Sequence, residues 1–139
     1  ECTKRGGYSL EGSLKELAQY RMERAKEMLV AAEKNLKIGQ YKTSLNRSYY
    51  AIFHSMRAAN IIKGFDSSKH SGVIGFFNRE YLKEEIMDRQ LSVIIKTSSF
   101  LREKSDYDDF FIASKKDAQV QIENAQVFLN AVEKYLQSI

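Results

Sequence analysis

The sequence predicts an all-α fold, an antiparallel up-and-down bundle of four to five helices, and three observations carry that prediction. The chain contains no Pro, apolar residues recur at helical spacing through four long stretches, and the alternating β-branched runs that mark strands are scarce. Amphipathic helices joined by short links pack most simply as a bundle. The 139 residues make one domain, long enough to bury a core without disulfides or metals.

The first helix is expected over residues 13–38, with Ser13 as its cap and Glu16 completing a capping box. Its stripe is Leu14, Leu17, Ala18, Ala25, Met28, Leu29, Ala32 and Leu36, and Gly39 ends it. Arg21 falls inside that stripe and needs a carboxylate or carbonyl partner, because an unpaired buried charge is costly. The second helix runs over 40–63 and stops at Gly64. Ser67 or Ser68 caps a short third helix over 69–81. The fourth covers 83–104, with Ile86, Val93, Ile94, Thr97, Phe100 and Leu101 on one side. "SDYDDFF" links it to a last helix over 115–137, where Ala118, Ile122, Ala125, Leu129, Val132 and Leu136 keep the helical period. Residues 1–12 read as a flexible leader before a bundle over 13–139, with no repeat or second domain.

Composition narrows the function. An apolar fraction of 43% and a charged fraction of 29% are those of an ordinary soluble protein. The net charge of +4 and pI near 9.1 allow contact with nucleic acid, but no basic run marks a nucleic-acid tail. No apolar run is long enough to span a membrane, and the first residues carry no secretory signal. The single Cys2 favours a reducing, cytoplasmic setting. Gly72 and Gly75 do not make a phosphate-binding fingerprint, and no cofactor is expected. Asp106, Asp108 and Asp109 lack the Gly and distant Glu of a calcium loop. Two His without a Glu-x-x-His pair exclude a dimetal bundle site, so no metal is expected.

The informative stretch is "NRSYYAIFH", residues 46–54. At about 100° per residue, Leu45, Tyr49, Ile52, Met56 and Ala59 share one face, the core stripe. Arg47, Tyr50, His54, Arg57 and Ile61 share the other. Arg47 and His54 are two turns apart, with Tyr50 between them. An aromatic and basic second stripe needs a neighbour of its own: another helix, a second subunit or a ligand. Two readings of the pair stand open. In one, Arg47 pairs with Asp106 or Asp108 and His54 is a hydrogen-bonded structural imidazole. In the other, His54 transfers protons and Arg47 stabilises a phosphate, a combination that cleaves RNA without a metal. His70 either joins His54 at a site or supports its turn, and Arg102 and Asp106 are spaced to pair.

At these residues the sequence resembles the HEPN superfamily, small helical bundles found beside minimal nucleotidyltransferases in prokaryotes. The likeness covers about residues 20–136. It rests on "YRMERAKEMLVAAEKNLKIGQYKTSLNRSYYAIFHSMRA", "SSKHSGVIGFFNREYL" and "LREKSDYDDF". Arg47 and His54, with six residues between them, fit the upper limit of the Arg-then-His spacing of the family's ribonucleases. The resemblance implies a cytoplasmic homodimer, the RNA- or nucleotide-binding partner of a nucleotidyltransferase in a toxin–antitoxin-like pair. It makes Arg47 and His54 the candidate catalytic residues. Tyr50, Arg57, His70, Arg102, Asp106 and Tyr107 become candidate substrate-binding residues. The alternative is a non-catalytic protein–protein interaction module in which the Arg/His pair is structural.

Overall fold

Five α-helices follow one another in the computed structural model, which describes residues 10–139. They are α1 (Leu10–Lys37), α2 (Tyr41–Ile62), α3 (His70–Phe77), α4 (Leu91–Tyr107) and α5 (Lys115–Gln137). Among the described residues there is no strand, so the all-α prediction stands. Cys2 and most of the leader expected over 1–12 lie outside the described residues.

Helix α2 is the centre of the bundle and packs against α1, α5, α4 and α3. Its expected core stripe is buried: Leu45, Tyr49, Ile52, Met56 and Ala59 are each no more than 2% exposed. Cross-contacts fix the helix directions. Ser44 Oγ donates to the Ala32 carbonyl at 2.9 Å, and Arg21 Nη1 to the Arg57 carbonyl at 3.5 Å, so α1 runs antiparallel to α2. Asn46 meets Asp106 while Arg102 lies over the Tyr49 ring, which makes α4 antiparallel to α2 as well.

Two glycines end helices as the sequence predicts. Gly39 (φ +78°) follows α1 and Gly64 (φ +79°) follows α2, both in the left-handed region that a side chain resists. The residue after each closes a helix-ending turn: Gln40 N–H donates to the Asn35 carbonyl at 2.8 Å, and Phe65 N–H to the Asn60 carbonyl at 3.1 Å. At the other end, α1 already includes Leu10, so Ser13 sits within the helix and does not cap it.

Helix α3 continues through a π turn over Asn78–Leu82, where Lys83 N–H reaches the Asn78 carbonyl at 2.8 Å. The Tyr81 ring is fully buried and its hydroxyl donates to the Ala59 carbonyl.

Helix α4 begins at Leu91, eight residues later than the sequence suggests. Residues 83–90 turn instead. Glu85 is left-handed (φ +58°), Met87 N–H donates to the Tyr81 carbonyl at 3.0 Å, and the Asp88 carboxylate accepts from Gln90 N–H at 2.9 Å. Ile86 therefore leaves the helix, and the expected stripe divides. Leu91, Ile95 and Ser98 face the core, whereas Val93 and Phe100 are 56% and 57% exposed. Helix α5 has the predicted bounds and carries a capping box: Asp117 N–H donates to Ser114 Oγ at 2.9 Å, and Ser114 N–H to the Asp117 carboxylate.

Candidate functional site

The second face of α2 lies along the seam with α1. Arg47, Tyr50, His54 and Arg57 are all half-buried there, while Ile61, the last of that stripe, is buried. On α1, Arg21, Arg24 and Met28 follow each other at three- and four-residue spacing and so share one edge. Arg21 reaches Arg57, and Arg47 reaches Met28, so this edge of α1 lies against the stripe of α2.

Three of the four arginines are paired, two of them to one carboxylate. Asp66, just beyond α2, takes Arg21 Nη2 at 3.0 Å on one oxygen and Arg57 Nη2 at 2.9 Å on the other. Arg21 thus finds the carboxylate its place in the stripe requires. Burial alone raises the Asp66 carboxyl, but hydrogen bonds from these guanidinium groups hold it down at about 2. Arg47 does not pair with Asp106 or Asp108; its Nη1 lies 3.6 Å from the Met28 sulfur, and among the described residues it has no ion pair. Arg24 is exposed and sits 3.7 Å from Glu27.

His54 lies within this ring of guanidinium groups. Among the described residues its ring nitrogens have no hydrogen-bond partner; its neighbours are the Tyr50 and Phe53 rings, at centroid separations of 6.2 and 6.0 Å. Burial, then the charges of Arg24, Arg57, Arg21 and Arg47, push its pKa down to about 4. The imidazole is neutral at pH 7. The structural reading needs a hydrogen bond to His54 and an Asp partner for Arg47, and the described residues provide neither.

A second cluster stands on the other side of Tyr50. His70, at the start of α3, has Nδ1 2.8 Å from the Tyr49 hydroxyl and its ring 4.4 Å from that of Phe53. Tyr50 meets His70 edge-on at 5.8 Å, so this ring separates the two histidines and touches both. Burial and the Arg102 charge lower the His70 pKa. Arg102 lies over the Tyr49 ring at 4.9 Å and pairs with Asp106 at 3.6 Å, as its spacing predicts. Asp106 also accepts from Asn46 Nδ2 at 3.2 Å. Next to this pair, Lys42, Thr43, Asn46, Arg47, Asp106 and Tyr107 line an open groove of about 560 Å³ between α2 and α4. Tyr107 is 77% exposed at its rim.

The predicted residues therefore fall into two groups, Arg47, His54 and Arg57 against α1, and His70, Arg102, Asp106 and Tyr107 against α3 and α4; Tyr50 touches both histidines and Arg47 also lines the groove beside Asp106 and Tyr107. Sequence reasoning missed Arg24 and Asp66, and it did not place Arg21 beside the site. The available signal was the Arg21–Arg24–Met28 spacing on α1, which matches the period of the stripe it faces. Among the described residues no three His, Cys, Asp or Glu side chains are grouped to hold a metal ion, and no helix is long and apolar enough to cross a membrane.

Comparison with known proteins agrees with this architecture. A family model, HEPN domain, matches residues 18–135. A UPF0332 protein of Thermotoga maritima is 32% identical over 123 residues, 88% of this chain and 93% of its own length. A Methanocaldococcus jannaschii protein named "Putative toxin MJ0142" is 31% identical over 115 residues, covering 83% of this chain and 78% of its own. The crystal structure of TT1696 from Thermus thermophilus superposes with a TM-score of 0.72 at 18% identity, covering 85% of this chain and 97% of that one, which is a likeness of fold.

Proposed function

Given that the chain belongs to the HEPN domain family, we propose that it is the RNA-binding, toxin-like member of a toxin–antitoxin-like pair, with its chemistry on the Arg47–His54 face. One observation carries this reading: His54 lies without a hydrogen-bond partner among the described residues, half-buried beside four arginines, and burial first and then their charges lower its pKa. Such a cluster attracts an anion, and Arg47 has no carboxylate neutralising it. The toxin names of two Methanocaldococcus jannaschii relatives support the assignment to such a pair. The family implies a nucleotidyltransferase-type partner, a homodimer and a cytoplasmic setting.

Phosphate binding and His54 protonation are coupled in this arrangement. A phosphodiester among the arginines offsets the positive field, so the imidazole pKa rises when RNA binds. In the bound state His54 takes the proton of a 2′-hydroxyl, and the 2′-oxygen attacks phosphorus. Arg47 stabilises the phosphorane charge. The 5′-oxygen then leaves with a proton from solvent, and a cyclic phosphate remains. Tyr50 holds the imidazole against its own ring, and Arg57 presents charge beside it.

A second reading, binding of RNA or a nucleotide without cleavage, is favoured by the low basicity of His54 in the free protein. The structural rival, an interaction module, has support in the Arg21–Asp66–Arg57 bridge. One experiment separates the three. A mixed RNA pool is incubated in EDTA with wild type, Arg47→Ala and His54→Ala, each checked for helicity by circular dichroism. Cleavage by wild type that both folded variants lose supports the ribonuclease reading. Saturable binding without product, weakened in Arg47→Ala, supports binding alone. Neither binding nor cleavage by wild type overturns both and leaves the interaction module.

A further inference from the structure

The chain has four methionines, and their surroundings differ. Met22 and Met56 are fully enclosed and Met87 is 7% exposed, whereas Met28 is half-buried on the edge of α1 that faces α2. Met28 is thus the thioether that a small solute reaches most readily. It is also the one in contact with the candidate site, its sulfur 3.6 Å from Arg47 Nη1. Arg47 has no ion pair among the described residues, so its freedom depends on how good an acceptor that sulfur is.

We propose that Met28 is a redox-sensitive modification site, at which oxidation by hydrogen peroxide ties down Arg47 and weakens nucleic-acid binding. The sulfur lone pair attacks one peroxide oxygen. An S–O bond forms, the O–O bond breaks, and the proton of the transferred oxygen leaves with the departing hydroxide as water. The thioether is oxidised to a sulfoxide and the peroxide is reduced, with no further reactant.

The product changes the contact in kind. A thioether is a weak acceptor. A sulfoxide carries a polar oxygen, and a guanidinium N–H that donates to it makes a charge-assisted hydrogen bond. Nη1 already stands against the sulfur, so the new bond needs no movement of α1 or α2. Arginine holds a phosphate best through two parallel N–H groups. With Nη1 engaged, the end-on pair is lost, and a phosphate must displace the sulfoxide oxygen. Met28 also lies one turn beyond Arg24, so the added oxygen falls among the guanidinium groups around His54. The weakened binding rests on the RNA-binding reading; the pairing of Arg47 with the sulfoxide does not.

The test treats the protein with hydrogen peroxide and maps the oxidised residue by peptide mass spectrometry. Affinity for a single-stranded DNA oligonucleotide and urea unfolding are measured before and after. Every variant carries Cys2→Ser, so that no thiol contributes. Met28→Leu conserves volume without a sulfur, and Arg47→Ala removes the donor. The first oxygen is expected on Met28. Affinity then falls to that of Arg47→Ala and returns with methionine sulfoxide reductase, while peroxide changes nothing in Met28→Leu or Arg47→Ala. In unfolding, oxidation should favour the folded chain about three- to tenfold more with Arg47 present than in Arg47→Ala, the coupling of one hydrogen bond. A first oxygen on Met22, Met56 or Met87 overturns the site. Oxidised Met28 without coupling to Arg47 overturns the pairing. Coupling with an unchanged affinity overturns the regulation alone. A chain that binds no oligonucleotide before oxidation overturns the proposed function and the regulation, and the unfolding coupling still decides the pairing.

Discussion

Arg47 ends on the sulfur of Met28, its Nη1 3.6 Å away across the α1–α2 seam. A thioether is a weak acceptor, so this guanidinium keeps its charge available, whereas Arg21 and Arg57 share Asp66. The two kinds of arginine should respond differently to removal. Arg47→Ala is expected to leave the unfolding free energy from urea denaturation within about 0.5 kcal/mol of wild type. It is also expected to reduce the salt dependence of RNA binding by about one unit of slope, as for one lost phosphate contact. Fluorescence anisotropy at several salt concentrations measures that slope.

Asp66 pairs with Arg21 and Arg57, two of the arginines whose charges act on His54. Asp66→Asn removes one charge while keeping the shape, so His54 should titrate lower still. Oligonucleotide affinity should rise several-fold at low salt and converge with wild type at high salt. Stability should fall by on the order of 1 kcal/mol, because half-exposed ion pairs contribute little each. An unchanged His54 titration in Asp66→Asn contradicts the shared-field account.

The pH dependence of stability has a definite sign. His54 in the folded chain has a pKa of about 4 against 6.5 for the free side chain. Between those values the unfolded chain holds more protons, so stability rises with pH across this window and is lost as pH falls through it. Allowing for screening of a half-exposed ring, the loss from this group is on the order of 1–2 kcal/mol. His70, also lowered, acts in the same direction. Urea unfolding at steps from pH 7 to pH 4 in wild type and His54→Gln isolates the His54 share; parallel curves contradict it.

The contact between Tyr49 and His70 joins α2 to α3. Tyr49→Phe deletes the hydroxyl 2.8 Å from Nδ1 and should cost about 0.5–1.5 kcal/mol, with the buried ring retained. The His70 ring-nitrogen shifts should change in the same variant while those of His54 hold.

The buried face of α2 was legible in the sequence because a central helix repeats one period against several neighbours. The Gly39 and Gly64 stops were legible too, since each rests on a local conformational rule. The start of α4 was not. Glu84 and Glu85 suit a helix, and only the tertiary demand to turn the chain between Leu82 and Leu91 puts Glu85 in the left-handed region. The direction in which Phe100 points was equally hidden. Its stripe differs from the buried one by a rotation of the helix, and periodicity fixes the angle between stripes without saying which faces inward. At the site, Arg47, Tyr50 and His54 could be grouped from one helix. Arg24 and Asp66 arrive from other segments, and only the packed seam brings them in.

The central claim is that the arginine ring accepts a phosphate beside His54. Its most direct test is the NMR titration of the His54 imidazole, alone and saturated with a single-stranded DNA oligonucleotide, which lacks the 2′-hydroxyl and is not cleaved. The account predicts a pKa near 4 in the free protein and a rise when the phosphates offset the guanidinium charge. Saturation of the protein with no change in the His54 titration would place the nucleic acid elsewhere and contradict the claim.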